Sequence, residues 1–520
     1  MSDIEKGSFP EGSYETEAVL HQNKDNAYND IHEDYPRDGI LGKFDAANRK
    51  LERKLGIETR GIERVPESAR TDTRLWGNTF IWLGANCVLP TFALGALGPL
   101  IWYMSLGDSM ITILFFNMFP AMIPAFMATF GPKLGLRQMT SARFSWGWYG
   151  AKVVAALNCI ACVGWSTINT IAGAQTLVVI ADHKFSAAVG VVIIALGTLV
   201  VGFFGYKVVH KTEQYIWIPT AVAFLVMLGV AAKHFVSLPM GVGQTEAAVV
   251  LSFGATIFGY TIGWASLSSD YNVYMPADAS SKKIFGWTYL GLIIPLVLIM
   301  WLGAAVGSAA LVITDWADAY ASDEIGGLVG AVLIPSIGRG GKFFMFILVI
   351  SVIANNIINV YSMGMSISVV AKWLAAIPRL FWPFFITAIY IPLAIVGAHS
   401  FSTALQNFLN VLGYWLAIYV TIVLEEHFIF RKGDYANYNV AEAWNQRTMV
   451  PVGYAAVFAG CCGAAGAAVG MAQTWWIGPL GALAGGSYEY GCDIGFELSA
   501  GFAGLAYPPL RYLEKRYLRR

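Results

Sequence analysis

The sequence predicts an all-α membrane protein with about twelve transmembrane helices, and two observations support this prediction. First, 56% of the 520 residues are hydrophobic and only 13% are charged, against about 25% charged in a soluble domain. Second, the apolar residues occur in repeated blocks long enough to cross a bilayer, which takes about 20 residues each. A single soluble core stops growing near 250–300 residues, so the lipid bilayer is the expected partner of the apolar surface.

Twelve segments meet the length requirement. In chain order, spans 1 to 12 are predicted at 76–100, 107–129, 148–181, 186–205, 213–232, 248–268, 284–312, 343–374, 379–398, 401–424, 450–472 and 491–510. Segments 148–181 and 343–374 are long enough to tilt or to extend beyond the membrane.

Lysine and arginine in the short loops orient the spans. The loops that follow even-numbered spans hold most of them: Lys133, Arg137, Arg143, Lys207, Lys211, Lys282, Lys283, Lys372, Arg379, Arg431, Lys432 and Arg447. Both ends of the chain are also basic near the membrane. Both termini are therefore expected in the cytosol, which agrees with an even number of spans.

Several functional classes are disfavoured by the composition. The net charge is zero, so no nucleic-acid partner is indicated. The six cysteines form no metal-binding pattern, and the seven histidines form no HExxH motif. We therefore expect neither a metal centre nor an enzyme.

Two spans appear interrupted at matching positions. Span 1 contains Gly84 and Asn86 followed by Pro90, which removes a helical hydrogen-bond donor. Span 6 contains Gly263 and Trp264 within a glycine-rich stretch. Paired breaks in two halves of a chain are the best sequence pointer to a transporter site between inverted repeats. The alternative is that the glycines only permit close helix packing.

Spans 3 and 8, again matched between the halves, carry polar side chains. Trp165 and Asn169 share one helical face, as do Asn355 and Asn359, whereas Asn356 is expected to point elsewhere. Such amides can serve merely as interhelical hydrogen bonds, each contributing about 0.6 kcal/mol. Their concentration opposite the two breaks favours a binding site.

Spans 1, 3, 6 and 8 hold no acidic or basic residue squarely within them, so the expected ligand is neutral. Trp165 and Trp264 can sandwich a flat heterocycle, and the amides of Asn169, Asn355 and Asn359 can pair with its polar edge. A site of this kind rejects analogues that lack the polar edge.

The chain resembles the fungal purine–cytosine permeases of the nucleobase–cation symporter-1 family from about residue 40 onward. The matching stretches are 131–139 (GPKLGLRQM), Ala85-Asn86, Gly164-Trp165 with Asn169, Gly263-Trp264, Asn355-Asn356 and 425–428 (EEHF). The resemblance implies a LeuT-like core of ten helices in a 5+5 inverted repeat, with two added helices. It also implies import of adenine, guanine, hypoxanthine, cytosine and 5-fluorocytosine by proton symport and alternating access.

By the same resemblance, the substrate-binding residues would be Trp165, Asn169, Trp264, Gly263, Asn355, Asn359, Asn86 and Gly84. Gly84 stands where fungal relatives often have serine, so one substrate-facing hydroxyl is missing. Sodium-coupled relatives hold their ion with adjacent hydroxyl residues on the eighth helix, whereas 349–351 here offers only Ser351. This difference favours a proton as the coupling ion, with no other cofactor.

Three residues are candidates for carrying the proton: Asp270, Lys152 and Glu425. Each can equally be an interfacial charge. Other readings also stay open: a carrier of another planar solute (uracil, allantoin, thiamine or pyridoxine), a multispan enzyme or a membrane sensor.

The expected organisation has four parts. Residues 1–70 form a mostly disordered cytosolic tail, 71–424 the ten-helix transport core, 425–510 a cytosolic loop with two further helices, and 511–520 a basic cytosolic tail. The expected location is the plasma membrane. The sequence leaves the oligomeric state open.

Overall fold

The computed structural model describes residues 61–203, 206–375, 377, 381–486 and 491–518. Most of the predicted N-terminal tail, residues 1–60, lies outside this part. The described residues form helices and one two-stranded antiparallel hairpin, β1 (Ala472–Gln473) with β2 (Trp476–Ile477).

All twelve predicted spans coincide with helical segments. Span 1 comprises Gly77–Asn86 and Leu89–Trp102, span 2 lies within Leu106–Leu134, and spans 3 to 12 are Arg143–Ile180, Ala187–Phe203, Tyr206–Ala231, Gln244–Ile262, Ser281–Ala310, Arg339–Val370, Phe381–Gly397, Phe401–Glu425, Tyr454–Gly470 and Gly495–Leu518. Among the described residues, seven helices are long and apolar enough to cross a membrane, and the bent pair in span 1 makes an eighth. Spans 4, 9 and 11 are shorter apolar helices.

Span 1 is broken, as predicted. Its two halves meet at an angle of 54°. The first half ends at Asn86, and Val88 is extended with φ −147° and ψ 156°. Pro90 lies in the first turn of the second half, where its missing N–H costs no hydrogen bond. The break therefore lies just before the proline, and the proline starts the next helix.

Span 6 loses its α-helical form at Ile262. Two short 3₁₀ turns, Gly263–Ser266 and Ser268–Tyr271, replace the second half of the helix. The packing interpretation also holds for one glycine of this span. A Cβ added at Gly259 would lie 1.9 Å from the carbonyl oxygen of Leu409 in span 10. Gly259 thus permits close packing, while Gly263 marks the break.

Span 3 begins at a second close contact between backbones. Gly147 has φ 70° and interrupts the helical geometry. A Cβ at this position would lie 2.4 Å from the nitrogen of Gly453, at the start of span 11. Only glycine satisfies both constraints without strain. The regular part of span 3 consequently starts at residue 148, as the sequence predicted.

Between spans 7 and 8 the structure has a helix that the sequence did not predict. Thr314–Ile337 is kinked at Asp323 and Glu324, and Glu324 has φ 50°. Because the first half is acidic, this stretch looked like a loop. The Glu324 carboxylate accepts a hydrogen bond from Ser402 in the first turn of span 10, at 2.5 Å. The kink therefore positions Glu324 so that its carboxylate joins this helix to span 10.

The predicted boundaries of the two tails need correction. Within 61–70, Val65 is buried and its N–H donates to the Gly135 carbonyl at 2.8 Å, while the guanidinium of Arg70 donates to the Pro132 carbonyl at 2.7 Å. At the other end, span 12 continues to Leu518 and Arg511 is buried. Residues 61–70 and 511–518 thus pack against the helical bundle, because their charged groups find partners there.

Candidate substrate site

The two breaks are joined directly by a side-chain hydrogen bond. The indole Nε1–H of Trp264, in the 3₁₀ turn of span 6, donates to Oδ1 of Asn86 at 2.9 Å. Asn86 is the last helical residue before the break in span 1, and its amide nitrogen donates to the Trp82 carbonyl at 2.9 Å. Asn86 is fully buried and Trp264 nearly so. The Asn86 oxygen therefore joins the two breaks, while its amide nitrogen bonds within the first half of span 1.

Both tryptophans lie next to Gly263. Trp264 follows Gly263 in the chain, and a Cβ added at Gly263 would lie 3.3 Å from the Trp165 ring. Trp264 packs edge-on against Trp82, with ring centroids 5.4 Å apart. Trp165 packs edge-on against Tyr260 at 5.1 Å. Each indole is thus oriented by a different aromatic neighbour.

An amide network connects spans 3 and 8 to the break in span 1. The Asn169 amide donates to Oδ1 of Asn355 at 2.7 Å and to Oδ1 of Asn356 at 3.0 Å. Asn355 in turn donates to the carbonyl of Ala85, one residue before Asn86, at 2.6 Å. The network brings three spans together at one depth.

The expectation for Asn356 was wrong. Its amide donates to the hydroxyl of Thr170 at 3.0 Å, so it also faces span 3. Asn359 lies one turn further along span 8, and its amide donates back to the Asn355 carbonyl at 3.4 Å. Gly84 is buried within the first half of span 1. The eight predicted binding residues thus lie on spans 1, 3, 6 and 8 around the two breaks.

Two residues at this site were missed in the sequence. The hydroxyl of Thr91, in the first turn of the second half of span 1, donates to the Asn86 carbonyl at 2.7 Å. It also forms a 2.7 Å hydrogen bond with the hydroxyl of Tyr260. Tyr260 precedes Trp264 by four residues, a spacing that places both on one helical face, and this spacing could have identified it.

The candidate proton carriers occupy three different places. Asp270 is buried in the second 3₁₀ turn of span 6. Its Oδ1 accepts a hydrogen bond from the backbone N–H of Gln138 at 2.8 Å, and its carbonyl accepts one from Arg137 at 2.9 Å. Asp270 therefore lies between the unwound end of span 6 and the 131–142 loop, close to the site.

Lys152 and Glu425, the other two candidate proton carriers, lie away from the substrate network. Lys152 precedes Trp165 by thirteen helical residues, about 20 Å along the axis, and its ammonium lies 5.9 Å from the Tyr149 ring. Glu425 faces span 12, where a Cβ at Gly504 would lie 3.1 Å from its Oε1. Helical rotation and length therefore remove both from the substrate network.

The hydrogen bonds of the site network described above involve only neutral groups. They come from amides, hydroxyls, an indole and backbone carbonyls. Within the described ranges, no group of three or more metal-ligating side chains is assembled. The arrangement can bind a neutral planar molecule whose rim carries both hydrogen-bond donors and acceptors.

Comparisons with known proteins are consistent with this geometry. The sequence model of a family described as permeases for cytosine/purines, uracil, thiamine and allantoin matches residues 64–478. The purine-cytosine permease fcyB of Emericella nidulans is 42% identical over 475 residues, covering 91% of this chain and 92% of that protein. The vitamin B6 transporter TPN1 of Saccharomyces cerevisiae is 32% identical over 514 residues, covering 89% and 88%.

Among solved structures, the inward-facing conformation of Mhp1 superimposes with a TM-score of 0.63 at 15% identity, covering 89% of this chain and 96% of that one. The closed conformation of Mhp1, described as a nucleobase-cation-symport-1 family transporter, superimposes with a TM-score of 0.62 at 14% identity, covering 85% and 92%. These similarities establish the LeuT-like fold.

Proposed function

Because the chain belongs to the family of permeases for cytosine/purines, uracil, thiamine and allantoin, we propose that it imports purine bases and cytosine by proton symport. The proposed substrates are adenine, guanine, hypoxanthine, cytosine and 5-fluorocytosine. The transporter is placed in the plasma membrane with both termini in the cytosol, in keeping with its basic loops. The 131–142 loop then lies on the cytosolic side.

One observation carries this proposal: two interrupted spans are joined by neutral groups only. Trp264 and Asn86 link the breaks, and Asn355 links span 8 to the Ala85 carbonyl. A nucleobase is planar, neutral and rimmed by donors and acceptors, so it can replace these internal hydrogen bonds with equivalent ones. The amides then need no water when the base is bound. The hydrogen bonds lost between protein groups are offset by the hydrogen bonds gained with the base.

In this proposal the indoles of Trp165 and Trp264 contact the ring, and Asn169, Asn355 and Asn359 bind its edge. Asn86, Gly84 and Gly263 form the wall of the site where the two breaks meet. Since the unwound segments lie on spans 1 and 6, a movement of these spans against spans 3 and 8 exposes the site to one side of the membrane at a time.

The proton is assigned to Asp270. Among the three candidates it is the one that is buried beside the unwound end of span 6. A carboxylate held inside a membrane transporter is a recognised kind of proton relay.

The experiment is uptake of labelled adenine and cytosine by cells that lack their own base transporters. We expect accumulation that rises as the outside pH is lowered. Failure to accumulate either base at any pH would contradict the proposal.

Similarity to the vitamin B6 transporter supports a second candidate, pyridoxine. The other planar solutes of the family, namely uracil, allantoin and thiamine, are compared in the same competition experiment. Unlabelled solutes added in excess during cytosine uptake separate these functions. We expect adenine and hypoxanthine to compete and pyridoxine not to compete.

A further inference from the structure

Spans 3 and 8 carry matching stripes of polar side chains that continue beyond the substrate site. Each stripe repeats at intervals of three or four residues, so its members share one helical face. Together they are called the polar ladder here: Asn158, Cys162, Ser166 and Asn169 on span 3, and Asn355, Asn359, Ser362 and Ser366 on span 8.

The two stripes face each other along antiparallel helices. Asn169 donates to Asn355 at one end, and the Asn158 amide donates to the Ser366 hydroxyl at 2.8 Å at the other. Eleven residues separate Asn158 from Asn169, which is about 16 Å of helix. The ladder therefore runs from the substrate site toward the end of the bundle that carries the 131–142 loop.

Two hydroxyls in the middle of the ladder are unpaired. Ser166 and Ser362 are both fully buried, and neither hydroxyl has a hydrogen-bond partner among the described residues. Hydroxyls close to them in the sequence are instead bonded within their own helices. The hydroxyl of Thr167 donates to the Val163 carbonyl at 2.9 Å, and that of Ser368 donates to the Gly364 carbonyl at 3.0 Å.

The register of the two helices places the unpaired hydroxyls close to each other. With Asn158 opposite Ser366 and Asn169 opposite Asn355, Ser362 lies opposite Cys162. Ser166 is one turn from Cys162, about 6 Å along the axis. A buried water characteristically bridges unsatisfied polar groups in such a position. Buried polar groups in a membrane are costly, so a bridging water would stabilise both hydroxyls.

Asp270 lies beside this part of the ladder. Gln138, whose backbone N–H donates to the Asp270 carboxylate at 2.8 Å, also donates through its amide to the Tyr419 hydroxyl at 3.0 Å. Arg137, which donates to the Asp270 carbonyl, has its guanidinium 5.8 Å from the ring of Tyr361, the residue before Ser362. The titratable groups around Asp270 come from several elements: Arg137 from the loop, Cys162 from span 3, Tyr361 from span 8 and Tyr419 from span 10.

We propose that the hydroxyls of Ser166 and Ser362 hold a buried water. The two hydroxyls and this water conduct the symported proton between the substrate site and the Asp270 carboxylate. Each hydroxyl accepts a proton on its oxygen and releases its own proton to the next oxygen. The carboxylate receives the last proton, so no atom is consumed. This inference rests on the proposed proton symport and gives it a route.

The test replaces Ser362 by two residues of nearly equal shape, Ser362→Thr and Ser362→Val. Only the first retains the hydroxyl, while both add the same branch to the side chain. Ser166→Ala removes the second hydroxyl, and Ser368→Ala serves as the control because its hydroxyl is bonded within its own helix. Three quantities are measured in each variant: adenine binding to the purified protein, uptake of labelled adenine by cells at acidic outside pH, and the proton entry that accompanies this uptake, followed with a pH-sensitive fluorophore.

We expect Ser362→Thr and Ser368→Ala to keep the proton-coupled uptake of the unmodified protein. Ser362→Val and Ser166→Ala should bind adenine normally, but their uptake at acidic outside pH should fall by about tenfold, as for the loss of one hydrogen-bonded relay group. Equal proton entry in Ser362→Thr and Ser362→Val would overturn the ladder and leave the proposed function intact. If the unmodified protein took up adenine without protons, the proposed symport itself would be wrong, and the ladder with it.

Discussion

The guanidinium of Arg511 in span 12 donates through Nε to Oε2 of Glu426, 3.1 Å away, at the end of span 10. Both side chains are almost completely buried. Tyr507 donates to the same carboxylate oxygen at 3.0 Å, and Arg431 pairs with the other oxygen at 2.9 Å. Span 12 is thus attached to span 10 through the Glu426 carboxylate, both of whose oxygens have partners.

Arg511→Ala should destabilise the protein by about 3–5 kcal/mol, because it leaves the carboxylate of Glu426 buried with less compensation. Arg516→Ala is the control, since Arg516 is an exposed arginine of the same helix. Thermal unfolding of the purified protein, followed by loss of the monodisperse peak, measures the difference. Equal unfolding temperatures for the two variants would show that the ion pair contributes nothing.

Trp264→Phe should weaken base binding because it removes the N–H that bonds to Asn86 while keeping an aromatic ring. The smaller ring is no longer held by Asn86 and stacks on the base over less area, at a cost of about 0.5–1.5 kcal/mol. The apparent KM for adenine and cytosine should rise alike. Trp301→Phe is the control: it removes an indole bonded to the Met110 carbonyl, outside the site network. A rise confined to one base would instead indicate edge recognition by Trp264.

Asn359→Ala should abolish or strongly reduce uptake of every base, because the amide proposed to bind the base edge is lost. Surface labelling checks that the variant reaches the plasma membrane. Gln406→Ala is a control on span 10, whose amide donates to the carbonyl of Ser402 in its own helix at 3.3 Å. Unchanged kinetics for Asn359→Ala would remove this residue from the site.

Asp270→Asn should eliminate the stimulation of uptake by acid outside, since an amide does not exchange a proton in this pH range. The hydrogen bond from the Gln138 N–H can persist with the amide oxygen, so the fold is expected to survive. Glu425→Gln and Lys152→Met should keep the acid stimulation. Uptake is measured between pH 5 and pH 8. Acid stimulation lost in Glu425→Gln but retained in Asp270→Asn would reverse the assignment.

The sequence predicted the spans well because hydropathy alone decides them. The bilayer accepts little else than long apolar helices, so most spans lie close to their predicted bounds, although span 12 continues past its predicted end at residue 510 to Leu518. Pro90 likewise located the break in span 1, since it cannot continue a helix from the residues before it. The fold class and the family resemblance are both confirmed by the comparisons.

Details that depend on helical rotation could not be predicted. Glu425 and Glu426 are adjacent and chemically identical, yet one faces Gly504 and the other pairs with Arg511. The π-helical turn at Glu426–Phe430 changes the rotation at this point, and no sequence pattern signals it. Asn356 was misplaced for a related reason, because a face of span 8 wider than one stripe contacts span 3.

The burial of Arg511 has a practical consequence for handling this protein. A shortened version that stops at residue 510 would remove one of the two arginines that pair with Glu426. It would also remove Glu514, whose carboxylate accepts hydrogen bonds from the backbone N–H groups of Gly453 and Tyr454. Affinity tags and fluorescent fusions therefore belong after the end of span 12, where the last helical turn, 515–518, is exposed.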